Sequence, residues 1–158
     1  PRSQVFSTGT SLDSARLRRM LSEITGVSRH SIQAYCMGEH GDSQFIPVSH
    51  IQIGGIPVKE YLSIHPEYRD KMDFDKISAE DKVCGFHIVE GKGCTEFGIG
   101  AVLSNIARAV MHDEKRILPV SVLLEGEYAG GSTMCNREKR CGRDSGNLPD
   151  RERKRAAS

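Results

Sequence analysis

The chain has 158 residues, with 22 Lys and Arg against 21 Asp and Glu, five Cys and a mean hydropathy of −0.42. That length suits one ordinary domain and is too short for a dinucleotide-binding domain joined to a separate substrate domain. No apolar run approaches the roughly 20 residues that cross a bilayer, no charged-then-apolar leader opens the chain, and five scattered Cys without a Cys-x-x-Cys pair fit neither a disulfide framework nor a zinc ribbon. The expected setting is the reducing cytoplasm, with no membrane partner.

The near-zero net charge hides a division. Residues 131–158 hold 8 basic and 4 acidic side chains, while 1–130 hold 14 basic and 17 acidic ones. The apolar side chains of the last 28 residues are only Met134, Cys135, Cys141, Leu148, Ala156 and Ala157. So polar a segment buries too little to offset its ordering entropy. Residues 1–130 are expected to fold, and 131–158 to form a disordered basic tail.

The abrupt start at Pro1, without an initiator Met, suggests a fragment. Taken in order, Ser7-Thr8-Gly9-Thr10-Ser11 is a turn and helix-cap cluster. Leu12, Leu17, Met20, Leu21 and Ile24 then follow helical spacing, and Gly26 fits the C-terminal cap, which predicts a helix over 11–25. Residues 31–37 read as a strand with Ile32, Ala34 and Cys36 on one side, broken by the polar loop 38–43. A strand over 48–53 meets a hairpin turn at Gly54-Gly55 and returns through Ile56-Pro57-Val58. Residues 61–75, with Pro66, are expected to wander over the surface. Ser78 followed by Asp81 resembles a capping signature for a helix over 78–90, with Val83, Phe86 and Val89 on one face. Gly91-Lys92-Gly93 ends it. A second, apolar helix over 95–111 carries Ile99, Val102, Leu103, Ile106 and Val110. A β-rich strand covers 117–124. The expected fold class is α+β, helices packed on antiparallel strands.

Chemistry concentrates in loop 38–43. His40 lies between glycines, and an imidazole titrates near neutrality, so it can give and take a proton. Used this way it needs a carboxylate to fix its tautomer. Glu39, Asp42 and Asp13 are the candidates, and a solvated surface turn is the bland alternative. No Cys/His spacing supports a metal site. Asp13 and Arg16 share a helix face. Either they form a surface ion pair worth little, or Asp13 orients the His while Arg16 holds a substrate carboxylate bidentately. Thr95 is by default a helix cap.

Three stretches then join. Ser7-Thr8-Gly9-Thr10-Ser11-Leu12-Asp13-Ser14-Ala15-Arg16, Met37-Gly38-Glu39-His40-Gly41-Asp42-Ser43 and Gly91-Lys92-Gly93-Cys94-Thr95 together resemble the C-terminal domain of L-lactate dehydrogenases over about residues 1–130. The second stretch is similar to that family's active-site signature, in the form of lactate rather than malate members. The resemblance implies that domain's fold, without the N-terminal Rossmann domain. It makes His40 the general acid/base toward the substrate C2 oxygen, with Asp13 fixing its tautomer. Arg16 would pair with the carboxylate of pyruvate or lactate, Thr95 would line the substrate pocket, and Thr8 would lie beside the nicotinamide of NAD. It also implies a homotetramer. Arg18 matches the arginine of the family's fructose 1,6-bisphosphate site, but Gln33 stands where its histidine usually is, and half a site argues against that ligand. The alternatives are another 2-hydroxy-acid dehydrogenase of malate type, or an inactive module serving only assembly. The glycine-rich dinucleotide turn, the mobile loop and its catalytic arginine do not occur in the sequence.

After Gly126-Glu127-Tyr128 the resemblance stops. Codons exist for residues 133–158 that, read one base later, give PCVTGKNGVEETAEI followed by SLTEREKEQL, which resemble the family's own ending. A shifted reading frame from about 129–133 is therefore expected. The rival reading of the tail, nucleic-acid binding, lacks interleaved aromatics and is interrupted by Asp144, Asp150 and Glu152, so no nucleic-acid partner is expected.

Overall fold

The computed structural model describes residues 5–41 and 43–122, and the backbone of 133–136. Helix α1 (Ser11–Thr25) forms as the periodicity predicts. It ends at Gly26, φ 72°, whose N–H donates to the Ser22 carbonyl at 2.8 Å. A residue without Cβ takes this left-handed conformation at little cost. At the other end, Thr10 does not cap the helix with its side chain; its hydroxyl donates to the Cys36 carbonyl at 2.6 Å instead.

Two small antiparallel sheets flank α1. Strand β1 (Phe6–Ser7) pairs with β5 (Ile117–Val122), which pairs with β6 (Thr133–Asn136). The second sheet runs β2 (Ile32–Gln33), β3 (Gln52–Ile53), β4 (Ile56–Pro57). Gly54 and Gly55, at φ 61° and 83°, form its two-residue turn with Ile53 opposite Ile56, the positive-φ geometry that matches strand twist. Strand β6 lies beyond residue 130, where the sequence reading divides the chain; its backbone pairs with β5 from Ile117 opposite Asn136 to Val120 opposite Thr133. The rest of the expected tail lies outside the described residues, as do Leu123 and Leu124 of the expected last strand.

Several expectations are corrected. The strand over 31–37 pairs as a ladder only at β2, with a single further bridge from Met37 to Phe45, although Ile32, Ala34 and Cys36 do share a buried side. Its ladder stops because α1 takes the next backbone groups: the Cys36 N–H donates to the Ser14 hydroxyl at 2.9 Å and its carbonyl receives Thr10. Residues 48–50 form a 3-10 turn, not strand, with the His50 N–H on the Pro47 carbonyl. Val58 opens helix α2 (Val58–Ile64) instead of finishing a strand. Residues 61–75 contribute Tyr61 and Met72 to the core. Pro66 starts a short 3-10 turn there, at a position that needs no backbone donor.

Helix α3 (Phe74–Lys92) begins before Ser78, capped by Asp73, which accepts from the N–H groups of Asp75 and Lys76 at 3.2 Å each. Its buried face is Ile77 and Asp81, while Val83, Phe86 and Val89 are exposed. Helix α4 (Phe97–Met111) buries Val102, Ile106 and Ala109 but leaves Leu103 and Val110 outside. One apolar cluster packs Leu17 and Leu21 of α1 against β2, β3, α2 and Ile77; a second joins α4 to Val120 and Val122, with Leu12 of α1 against it. Each fully buried Leu contributes about 1.5–3 kcal/mol. Thus α1 is the element both clusters hold. Among the described residues no helix is long and apolar enough to cross a membrane.

Candidate active site

The N-terminal end of α1 turns its core stripe polar: Thr10, Asp13 and Ser14 are buried where Leu17 and Leu21 are buried one and two turns on. Of the three carboxylates considered for His40, geometry selects Asp13. Its Oδ2 lies 2.7 Å from His40 Nδ1, and its Oδ1 lies 3.4 Å from Arg16 Nη1. Asp13 is 1% exposed, so this is no surface ion pair. Glu39 is exposed and accepts from the Ser43 hydroxyl at 3.3 Å. Asp42 lies outside the described residues. An ionised carboxylate only accepts, so it fixes the ring proton on Nδ1 and leaves Nε2, on a largely exposed ring, to exchange a proton.

The loop that carries His40 is closed by reciprocal backbone hydrogen bonds between Met37 and Phe45, both 2.9 Å. Within it Gly38 stands at φ 91°, where a Cβ would come within 3.1 Å of the Ser43 carbonyl oxygen. Arg16 projects toward α3: its Nη atoms are 3.8 Å from where a Cβ on Gly85 would sit. Its guanidinium makes one hydrogen bond among the described residues, that to Asp13.

Other expected residues are not brought into this contact. Thr8 is half-buried, its carbonyl accepting from the Ser11 N–H at 3.0 Å. It is set there by Gly9, φ 49°, whose missing Cβ would meet the Ser121 nitrogen at 2.7 Å. Thr95 is exposed and is not the helix cap; the residue before α4 is Glu96, which makes no side-chain capping bond. Arg18 donates to the Ala34 carbonyl at 2.9 Å and lies over the Tyr35 ring at 5.9 Å. Burial holds its proton affinity below the usual arginine range. Gln33 is exposed on β2.

Sequence reasoning missed Asp81. It is 1% exposed, and its Oδ2 accepts from the Cys36 thiol at 3.4 Å and from Gln44 Nε2 at 3.2 Å. Among the described residues its Oδ1 and Gln44 Oε1 are buried without a hydrogen-bond partner. Burial pushes the Asp81 carboxyl up to about 6, with the Asp13 charge adding to this, while Cys36, Arg16 and Gln44 oppose it. Burial also pushes the Cys36 thiol far up, helped by Asp81. The available signal was position: Asp81 sits one turn after Ile77 on the core face of α3. Among the described residues no group of His, Cys, Asp and Glu could hold a metal ion.

A buried carboxylate that holds an imidazole on one oxygen and a guanidinium on the other, mounted on an α+β domain, defines an acid–base site able to meet an anion. The chain belongs to the lactate/malate dehydrogenase family: residues 10–136 match its alpha/beta C-terminal domain. It is 44% identical over 128 residues to an L-lactate dehydrogenase of Fusobacterium nucleatum, covering 81% of this chain and 40% of that protein. It is 40% identical over 129 residues to an L-lactate dehydrogenase of Lacticaseibacillus casei, covering 81% of this chain and 39% of that protein. The chain thus spans about two fifths of the curated relatives it matches. Among solved structures, lactate dehydrogenase from Eimeria maxima with NADH and oxamate superposes with a TM-score of 0.83 at 27% identity, covering 99% of this chain and 49% of that one. Cryptosporidium parvum malate dehydrogenase superposes at 0.81 with 26% identity, covering 99% and 52%.

Proposed function

We propose that this chain is the substrate-side half of an NAD-dependent L-lactate dehydrogenase that interconverts pyruvate and (S)-lactate. The observation that carries the reading is Asp13, buried, with its two oxygens divided between His40 at 2.7 Å and Arg16 at 3.4 Å. His40 Nε2 gives a proton to the C2 oxygen during reduction and takes it back during oxidation. Asp13 holds the ring in that tautomer and stabilises it when charged. The Arg16 fork binds the substrate carboxylate, fixing its orientation as well as neutralising it. Thr95 lines the substrate pocket.

The share of an NAD site that this chain supplies is the turn at Thr8. It fits, because Gly9 presses the turn against β5 and leaves Thr8 half-exposed. NAD supplies the hydride chemistry when bound. The relatives' length supports a second half that binds the dinucleotide. The family supports a homotetramer acting in the cytoplasm. The engagement of Arg18 by Ala34 and Tyr35 and the neutral Gln33 speak against fructose 1,6-bisphosphate as a ligand. We infer further that residues from about 129–133 onward are read in a shifted frame, so that residues 1–130 form the family domain; a nucleotide sequence in which no one-base shift restores a family ending would refute this.

The test is pyruvate reduction by this chain joined to a dinucleotide-binding half. His40→Asn should abolish turnover while NADH still binds; surviving turnover would overturn the roles. The 158-residue chain alone should turn over no pyruvate. The likeness to a malate dehydrogenase favours a second reading, a malate-type enzyme. A kcat/KM for oxaloacetate above that for pyruvate would select it.

A further inference from the structure

We propose that Asp81 is a positioning residue for the proton-transfer pair: from helix α3 its carboxyl grips both stems of the loop that carries His40. The loop is pinned where Met37 and Phe45 exchange their backbone hydrogen bonds. The residues that precede these two, Cys36 and Gln44, both donate side-chain hydrogen bonds to the same oxygen, Asp81 Oδ2. One carboxylate oxygen therefore ties the incoming and outgoing strands of the loop together and to α3. Cys36 is also the point at which α1 holds the loop, through Ser14 on its N–H and Thr10 on its carbonyl. Ser14 adjoins Asp13, so the grip links the carboxylate that orients His40 to the segment that carries His40. All five side chains are buried, and hydrogen bonds to a buried carboxylate are stronger than neutral ones.

The function of this grip rests on the reading of His40 and Asp13 as the proton-transfer pair. Its test reads the loop directly, so the two ideas fail separately. Two signals are followed by NMR in the 158-residue chain: amide hydrogen exchange at Met37 and Phe45, and the downfield Nδ1–H proton of His40, which reports its hydrogen bond to Asp13. Asp81→Leu removes the acceptor and should speed exchange at Met37 and Phe45 about tenfold or more, with loss or broadening of the His40 signal. Exchange at Ile53 in β3 should stay unchanged. Asp81→Asn keeps a side-chain oxygen to accept both bonds and should restore both signals. If Asp81→Leu does not fold, Gln44→Leu, which frees one stem only, should still speed exchange at Phe45 while Ile53 is unaffected. Unchanged exchange and an unchanged His40 signal in a folded Asp81→Leu or Gln44→Leu chain overturn the proposal. So does an Asp81→Asn chain that loses the His40 signal.

Discussion

Gly9→Ala should be among the most damaging small substitutions in the domain. Gly9 adopts φ 49°, and a Cβ built there meets the Ser121 nitrogen at 2.7 Å and the Val120 carbonyl carbon at 2.9 Å. Both are backbone atoms of β5, which is held on its two sides by β1 and β6, so neither can swing aside as a side chain could. The left-handed conformation costs a non-glycine residue about 1–2 kcal/mol, and overpacking against fixed atoms about 1–3 kcal/mol more. The sum, about 2–5 kcal/mol, is a large part of the roughly 5–15 kcal/mol that holds a domain. Gly26→Ala is the internal control. Gly26 stands at φ 72° with nothing within 4 Å of its missing Cβ, so it should show the conformational cost alone, about 1–2 kcal/mol. Urea unfolding of the three chains, read by circular dichroism, gives both differences. Equal losses for the two variants would refute the collision argument.

Three other outcomes follow from the same structure. Asp81 has its carboxyl raised to about 6 from an ordinary 3.8, so its contribution to stability is full below about 4 and is lost as pH rises through 6; the loss is up to about 3 kcal/mol. Asp81→Asn should flatten that part of the urea midpoint against pH, and an unflattened profile would contradict the assignment. Cys36, buried and with its thiol pushed up, should resist a thiol reagent at pH 8 until the chain unfolds, whereas exposed Cys94 labels early; mapping the adducts by mass spectrometry checks the order. Lys115 holds φ 54° beside an exposed ion pair to Asp113 at 2.9 Å, so Lys115→Gly should stabilise the chain by about 0.5 kcal/mol or slightly more, read as a shift in unfolding midpoint.

The helices were legible where a stripe and its stop coincided. Leu17, Leu21 and Gly26 define α1, and α3 stops before Gly93, two residues beyond the expected end at Glu90 because Gly91 and Lys92 still belong to the helix. Two of the failures share one cause, which is that tertiary partners outbid local pattern. The alternation over 31–37 did predict which side chains are buried, but Ser14 and Thr10 take the backbone of Cys36 that a ladder would have used. Residues 61–75 look like surface by composition, yet Tyr61 and Met72 are buried in the same apolar cluster as Leu17, Leu21 and Ile53. The sequence also misled at Ser78, where a capping signature hid the fact that Asp73 already caps α3. In the site, Asp13 was singled out from three candidate carboxylates for His40 only through the family resemblance, since 27 residues separate the two. Local reasoning could only name three carboxylates.

That separation points to the way the site is built. A helix in this domain marks its core with residues at three- and four-residue spacing. On α1 that spacing runs Leu21, Leu17, Ser14, Asp13, Thr10, and on α3 it runs Ile77, Asp81. Each polar member occupies a position that an apolar side chain could fill, and an unpaired carboxylate there would cost several kcal/mol. The fold can keep Asp13 only by supplying partners to both its oxygens, and it can keep Asp81 only through Cys36 and Gln44. Apart from Arg16, which α1 itself supplies, these partners lie on the two stems and the tip of one loop. Burial of the two carboxylates therefore dictates where His40 stands: the same desolvation cost that makes them improbable as core residues forces the loop onto them and places the imidazole at the site's edge.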